Sequence, residues 1–315
     1  MKSLLVKITI LILLLLSILY VNSYYELFAL NINKGQDSER RGFRIMTYNV
    51  NASLPISNKE QFKRNLIDEI ETHKPDILCL QELSAANFKF VQSALDSIFG
   101  CINDSLAQSN PYRYYLYSKK PLRNFQTYQC RGSIDTTGFD SLSKIQTIYI
   151  RKYHMPVYSA DIEVEDGKWV TVLSCHLQSS AYTTARRSMS EEDSWWKGIP
   201  LYYQNQQIGK AIRLFEAERI RAIVDSVDNL GHPVIVAGDL NDFSGSQAIK
   251  IIEGNKLEDS WWKGGFGFGF TFDAWHLKLR LDHILYSHQL IHKNTYISNN
   301  SISDHKPLYS DFETR

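Results

Sequence analysis

Two polar side chains set two residues apart, at the end of an apolar run, are the first chemistry this chain offers. Val234-Ile235-Val236-Ala237 has the composition of a buried strand and stops at Gly238-Asp239-Leu240-Asn241-Asp242. In extended chain, residues i and i+2 share a face. Asp239 and Asn241 are therefore presented together, and Gly238 permits a tight backbone beside them. A carboxylate next to an amide suits a phosphate and its cation. The same pair also suits a simple turn, each side chain capping backbone amides.

Other apolar runs end the same way. Asn49 lies at the end of Phe43 to Val50, Glu82 follows Ile77-Leu78-Cys79-Leu80-Gln81, and His176 lies at the end of Trp169 to Leu177. Asp282 lies in the run Leu281 to Tyr286, and Ser303-Asp304-His305 precedes a final run, Pro307 to Phe312. Each residue alone has a structural reading. Asn49 fits a turn, Glu82 a helix N-terminus that favours an acid, and His176 a satisfied core histidine. Asp282-His283 fits a surface pair and Asp304 a turn cap. Together, six such placements at strand ends or in an adjoining loop are far rarer than any one of them.

The elements that must carry these groups alternate between strand and helix signals. Asn58 to His73 has Phe62, Leu66, Ile67 and Ile70 at helical spacing behind an Asn58 N-cap, and Lys74-Pro75-Asp76 breaks it. Phe88 to Ile98 predicts a second helix. A long one follows Pro200 to about Val227, and a short one runs from Ser246 to Glu253. Strands are predicted within Tyr112 to Leu122 and over Ile145 to Arg151, Val157 to Val164 and Trp169 to Leu177, with Glu165-Asp166-Gly167 as a hairpin turn. Arg123 to Ser141 reads as a loop or edge hairpin. The hexapeptide Asp193-Ser194-Trp195-Trp196-Lys197-Gly198 recurs at Asp259 to Gly264 and is too short for a structural repeat.

The 315 residues carry ordinary apolar and charged fractions and a net charge of +1, with no long basic run. That argues against gripping duplex nucleic acid by a broad positive face, while leaving room for a local basic rim. The N-terminus differs from the rest. Lys2 and Lys7 precede an apolar run from Ile8 to Val21, short for a spanning helix of ~20 residues and suited to a signal-peptide core. Residues 1–23 are therefore read as a signal peptide or a membrane anchor, with residues 24–41 as a linker. Residues 42–315 form one α/β domain outside the cytoplasm, secreted, periplasmic or held at the membrane. Cys79 and Cys175 lie in apolar runs as free core thiols, while Cys101 and Cys130 have the option of pairing in an oxidising compartment.

Thr47-Tyr48-Asn49-Val50, Asp76 to Glu82, Ser174-Cys175-His176-Leu177, Gly238-Asp239-Leu240-Asn241, Arg280-Leu281-Asp282-His283 and Ser303-Asp304-His305-Lys306-Pro307 occur in this order. The set resembles the endonuclease/exonuclease/phosphatase superfamily, whose members include DNase I-like nucleases, neutral sphingomyelinases and inositol polyphosphate 5-phosphatases. Ser118-Lys119-Lys120-Pro121 also resembles that family's segment between the glutamate and the histidine. The resemblance implies a DNase I-like four-layer sandwich, two packed, mostly antiparallel sheets flanked by helices, with the site at one end. It implies a divalent metal, Mg²⁺ first and Mn²⁺ as the alternative, and hydrolysis of a phosphate ester by activated water.

On that reading Glu82 and Asn49 are metal ligands, and Asp304 is a second ligand or an acid behind the first ones. His305 is the general base, oriented by Asp282. Asp239 positions or deprotonates the water or assists the leaving group. Asn241 and His176 hold the phosphoryl oxygens, and Lys119 adds a substrate-binding cation. The substrate is a nucleic acid or a lipid or inositol headgroup, with no obligate protein partner. Arg280-Leu281-Asp282-His283 departs from the tryptophan-cysteine-aspartate-arginine form of the 5-phosphatases. A non-catalytic binding module on the same fold is the reading of another class.

Overall fold

The structure, a computed structural model, describes residues 2–30, 42–52, 56–102, 114–129, 156–179, 195–274, 277–299 and 302–315. Helix α1 (Lys2–Tyr25) and the short β1 (Ala29–Leu30) open the chain. β2 (Phe43–Ala52), α2 (Lys59–His73), β3 (Ile77–Leu83) and α3 (Ala85–Phe99) follow. Then come β4 (Cys101–Ile102), β5 (Tyr115–Ser118), β6 (Leu122–Gln129), β7 (Pro156–Glu165) and β8 (Lys168–His176). The long α4 (Trp195–Asn229) leads to β9 (Val234–Asp239), α5 (Gln247–Glu253), β10 (Leu257–Asp259) and α6 (Ser260–Gly264). The chain ends with β11 (Phe266–Gly267), β12 (Phe272–Ala274), β13 (Leu277–Leu279), β14 (Asp282–Ser287), β15 (Leu290–Ile297) and β16 (Leu308–Thr314).

Alternation along the strands builds the layers. On β2, Phe43 and Ile45 point one way and Met46, Tyr48 and Val50 the other. On β9, Ile235 and Ala237 oppose Val234 and Val236. The first set of each strand joins a core between two six-stranded sheets, ordered β10-β14-β9-β8-β7-β6 and β15-β16-β2-β3-β5-β4. The outer face of one sheet packs on Phe62, Leu66 and Ile70 of α2 and Phe88, Val91 and Leu95 of α3. The outer face of the other packs on Ala217, Ile220 and Val224 of α4 and Ala248, Ile249 and Ile252 of α5. Burying each such side chain other than the two alanines contributes ~1.5–3 kcal/mol. The result is the expected four-layer sandwich.

Each sheet contains one parallel pair, β2–β3 and β8–β9, and its other pairs are antiparallel. A parallel pair needs a crossover, which α2 and α4 supply. The N-cap of α2 is Asn58, as its sequence predicts, its side chain accepting from the Gln61 amide. Cys79 and Cys175 are free and buried.

Several details differ from the sequence reading. Residues 122–129 form the edge strand β6, the edge alternative of their sequence reading, and an unexpected edge strand, β15, pairs with β16 across a bulge at His292/Asn294. Helix α4 starts at Trp195, ahead of Pro200. The second copy of the hexapeptide is α6, N-capped by Asp259, with Trp261 buried in the core. The strand expected over Ile145 to Arg151 and the partner thiol Cys130 lie outside the described residues, as do residues 31–41 of the expected linker. The described part of that linker is no tether: Ala29 is fully buried, and β1 pairs with β11.

Candidate active site

The polar groups continue the inner-face stripe of each strand beyond the point where the apolar core stops. Asn49 has the parity of Phe43 and Ile45, His176 that of Val170 and Val172, Asp239 that of Ile235 and Ala237, and Asp282 that of Ile284 and Tyr286. Cross-strand register aligns three of them. His176 on β8 stands opposite Asp239 on β9, which stands opposite Asp282 on β14, so one row crosses three neighbouring strands. Asn49 ends the same face of the facing sheet, and its Nδ2 donates to Asp239 Oδ2 at 2.9 Å. The site thus closes one end of the inter-sheet layer.

Glu82 reaches this layer by breaking the alternation. A regular strand would point it with Leu78 and Leu80 toward the helices. Its backbone is left-handed instead (φ 58°), and Leu83 takes the place in the helix-facing core. The β2–β3 register slips between Asn49 and Ala52, where Asn51 is also left-handed (φ 44°). Asn241, on the loop after β9, is a third such residue (φ 50°). Non-glycine residues in this region cost on the order of 1–3 kcal/mol each and concentrate at functional sites. Here they aim Glu82 Oε1 to within 3.1 Å of Asn49 Nδ2 and 3.7 Å of His176 Nε2.

Asp239 is the hub. Its Oδ2 accepts from Asn49 and lies 3.5 Å from His176 Nε2 and 3.7 Å from His305 Nε2, while its Oδ1 accepts from the Asn241 amide at 2.9 Å. Asn241 Nδ2 in turn donates to the Leu177 carbonyl at 2.9 Å. His305 Nδ1 lies 2.8 Å from Asp282 Oδ2. Burial alone would lower the His305 pKa, but the carboxylates of Asp282 and Asp239 outweigh it and push it up to about 10. Burial raises the Asp282 carboxyl against the pull of His305. The surrounding carboxylates therefore favour the charged form of His305, with Asp282 as its direct partner.

Asp304 stands one layer back. Its Oδ1 accepts from Asn51 Nδ2 at 2.9 Å and from Ser303 Oγ at 3.2 Å. Among the described residues, the carboxyl and imidazole atoms that converge within 4.8 Å at this end are Glu82, His176 and Asp239, and Asp239, Asp282 and His305. Asp304 is in neither group, and its carboxylate is held by Asn51 and Ser303. Asn49 is central, but its Nδ2 faces both carboxylates and its Oδ1 accepts from the Asn51 amide at 3.0 Å. It bridges the two carboxylates here.

Lys119 is displaced from the site. β5 runs antiparallel to β3, with Ser118 opposite Ile77, and the Lys119 amide donates to the Asp76 carbonyl. That is the start of β3, and Glu82 lies toward its other end. At ~3.3 Å per residue the separation is on the order of 20 Å. Lys119 Nζ sits 5.6 Å from the Phe99 ring centroid instead.

Three contributors carried no reading in the sequence. Asn51 holds Asp304, and its signal was its spacing, two residues after Asn49. Thr271 Oγ1 accepts from the amides of Leu281 and Asp282 at 3.1 and 3.0 Å, fixing the start of β14. Phe272 pairs with His305 in an isolated bridge and sets its ring edge-on to the imidazole at 5.0 Å.

Glu82 and Asp239 bring carboxylate oxygens together beside His176, a donor set that suits a divalent cation. The residues present therefore fit a divalent metal ion.

The model of the endonuclease/exonuclease/phosphatase family matches residues 46–305, which contain every group of this cluster. TDP2 from C. elegans shares 17% identity with a TM-score of 0.59, over 86% of this chain and 74% of that one. An endonuclease/exonuclease/phosphatase from Bacteroides vulgatus shares 17% identity and a TM-score of 0.59, over 88% and 100%. The human Nocturnin catalytic domain, solved with a bound sulfate anion, shares 19% identity and a TM-score of 0.58, over 88% and 96%. No curated protein matches the chain by sequence. The structural likenesses establish the DNase I-like fold, and the family match over most of the chain establishes membership: the protein belongs to the endonuclease/exonuclease/phosphatase family.

Proposed function

We propose that the chain is a divalent-metal-dependent phosphoesterase, nuclease-like in its chemistry, that hydrolyses a phosphodiester or phosphomonoester outside the cytoplasm. The observation that carries this reading is the convergence of Glu82, His176, Asp239, Asp282 and His305 within two overlapping groups at one end of the sandwich. A binding module would not need a buried histidine–aspartate pair aimed at a third carboxylate.

Glu82 and Asp239 would hold the metal, with Asn49 between them. When bound, the metal neutralises phosphoryl charge and eases deprotonation of the attacking water. Asp239 orients that water through Oδ2 and accepts its proton. Its Oδ1 is fixed by the Asn241 amide, so the carboxylate cannot swing away. His305, charged by Asp282 and Asp239, donates from Nε2 to a phosphoryl oxygen, where its charge counts most as negative charge builds. We assign the base to Asp239, with His305 as the alternative. His176 Nε2 offers a second donor on the opposite side of Asp239. Phe272 and the sheet ends keep the imidazole from bulk water.

The N-terminal helix supports an extracytoplasmic setting. Lys7–Tyr25 is 19 residues with mean hydropathy 2.0, none of it buried in the fold. At 1.5 Å per residue that is ~28 Å, close to a hydrocarbon core. We read it as a retained anchor, with a cleaved signal as the alternative.

The test is a panel with Mg²⁺ or Mn²⁺: plasmid DNA, RNA, sphingomyelin, inositol phosphates and bis-p-nitrophenyl phosphate. Hydrolysis of nucleic acid with EDTA sensitivity supports the nuclease-like reading. Hydrolysis confined to sphingomyelin or inositol phosphates moves the assignment to a headgroup phosphoesterase, which the exposed Phe266 and Phe268 favour. No metal-dependent turnover of any substrate, with Mg²⁺ binding absent, would return the chain to a binding role.

A further inference from the structure

Helix α1 is bolted to the domain. Lys250 Nζ stands 3.2 Å from the centroid of the Tyr24 ring. Gly245 lies so close to Tyr25 that a Cβ there would come within 2.5 Å of its Cα. Asn22 closes the turn after the helix, donating to the Phe28 carbonyl at 3.0 Å and accepting from its amide at 2.8 Å. Arg280, buried and held by Asp259 and Ser244, donates to the Glu26 carbonyl at 3.1 Å. The chain then enters the core at Ala29 and pairs with β11.

Around this junction the domain exposes large apolar side chains. Leu30 is 68% exposed, Phe243 48%, Phe266 62%, Phe268 49% and Phe270 37%. They are not scattered. Phe28 meets Phe268 at 4.9 Å and Phe266 at 6.1 Å, and Phe268 stacks on Phe270 at 5.3 Å. Clustered exposed apolar groups mark an interaction surface, and Phe and Leu are side chains that membrane-surface elements bury at the headgroup–acyl boundary. The occupant follows from continuity. A helix long enough to cross a bilayer ends at Tyr25, fixed to the loop that carries Phe243 and Gly245, and the aromatic cluster flanks that exit point.

We propose that Leu30, Phe243, Phe266, Phe268 and Phe270 form a face that seats on the bilayer holding α1, setting the catalytic end of the sandwich at the headgroup layer. The inference rests on the reading of α1 as a retained anchor. The link to the site is covalent and short. Phe243 follows Asn241 by two residues, and the Phe266 to Phe270 segment runs directly into Thr271 and Phe272, which pack on Asp282 and His305.

The test uses the full chain in phosphatidylcholine vesicles, with Phe268→Cys carrying an environment-sensitive fluorophore. His288→Cys, an exposed position at the far end of β14, is the control. Unsubstituted protein labelled in parallel sets the background from native thiols, and turnover of bis-p-nitrophenyl phosphate checks the fold of each variant. The proposal expects 5-doxyl phosphatidylcholine to quench the label at 268 roughly twofold or more and the label at 288 hardly at all, with aqueous iodide showing the reverse order. Retention of the chain through alkaline carbonate, with iodide reaching 268 as readily as 288, overturns the bilayer face while leaving the anchor intact. Shielding of 268 from iodide without doxyl quenching, in a chain that cross-links as a dimer, assigns the face to a second copy and also overturns it. Release of the chain by carbonate removes the anchor and the face together.

Discussion

Gly238→Ala should damage catalysis and stability together, and the reason lies in one close approach. A Cβ at residue 238 would stand 1.8 Å from the Cys175 carbonyl oxygen, 2.7 Å from its carbon and 3.1 Å from its nitrogen. All three are backbone atoms of the register partner on β8, so no side chain can rotate out of the way. Relief requires β8 and β9 to part by well over an ångström at the pair next to His176 and Asp239. The φ of 155° adds backbone strain for an L residue. Strain of ~1–3 kcal/mol with overpacking of ~1–3 kcal/mol gives an expected destabilisation of about 3–5 kcal/mol. A misplacement of ~1 Å at the reacting groups costs on the order of 10²-fold in kcat/KM. Gly167→Ala is the matched control. Its φ is also positive (72°), but nothing lies within 4 Å of the added Cβ, in the turn at the opposite end of β8. It should cost about 1–2 kcal/mol and leave turnover unchanged. Urea unfolding and initial rates on bis-p-nitrophenyl phosphate read both effects. Gly238→Ala within twofold of wild-type rate and no less stable than Gly167→Ala would refute the row of groups across β8, β9 and β14.

Three further outcomes follow from the same geometry. His305→Ala should lower kcat by ~10²–10³-fold with the urea midpoint of a folded protein, as measured by steady-state kinetics beside circular dichroism. Lys119→Ala, at the far end of β3, should leave kcat/KM within about twofold on every substrate hydrolysed, because electrostatic effects at surface positions beyond a Debye length are screened. His292 supplies a pH dependence of stability. Burial beside Tyr286 and Phe312 pushes its pKa down to about 4. Below the unfolded-state value the unfolded chain binds the proton more readily than the folded one. The folded state therefore loses up to about 3 kcal/mol as pH falls from ~6.5 to ~4. His292→Phe should flatten that part of the curve in urea melts across this range.

The site groups were legible because each sits where an apolar run turns polar, a local signal that survives without knowledge of the fold. The strand-end placement of Asp239, His176 and Asp282 was legible for that reason. Their alignment did not, because register belongs to strand pairs and not to any one segment. Lys119 failed on direction. It lies at a strand end, but antiparallel pairing of β5 with β3 sends it to the end opposite Glu82. Glu82 itself was legible as a type of residue and not as a geometry, because strict alternation points it toward the helices and only the left-handed backbone brings it inward. β15 was missed because an edge strand with a bulge keeps no clean alternation. Residues 24–30 read as linker because tyrosines and leucines beside an apolar helix look alike whether they meet lipid or a domain.

The central claim is that the strand-end cluster is a metal-dependent phosphoesterase centre organised on Asp239. Its most direct test is a Mg²⁺ titration of bis-p-nitrophenyl phosphate hydrolysis by wild-type protein and Asp239→Ala, with EDTA and with metal restored. The account expects saturable, EDTA-reversible turnover in wild type and a loss of ~10²-fold or more in Asp239→Ala at every Mg²⁺ concentration. Turnover that ignores EDTA, or that survives Asp239→Ala within a few-fold, would contradict it.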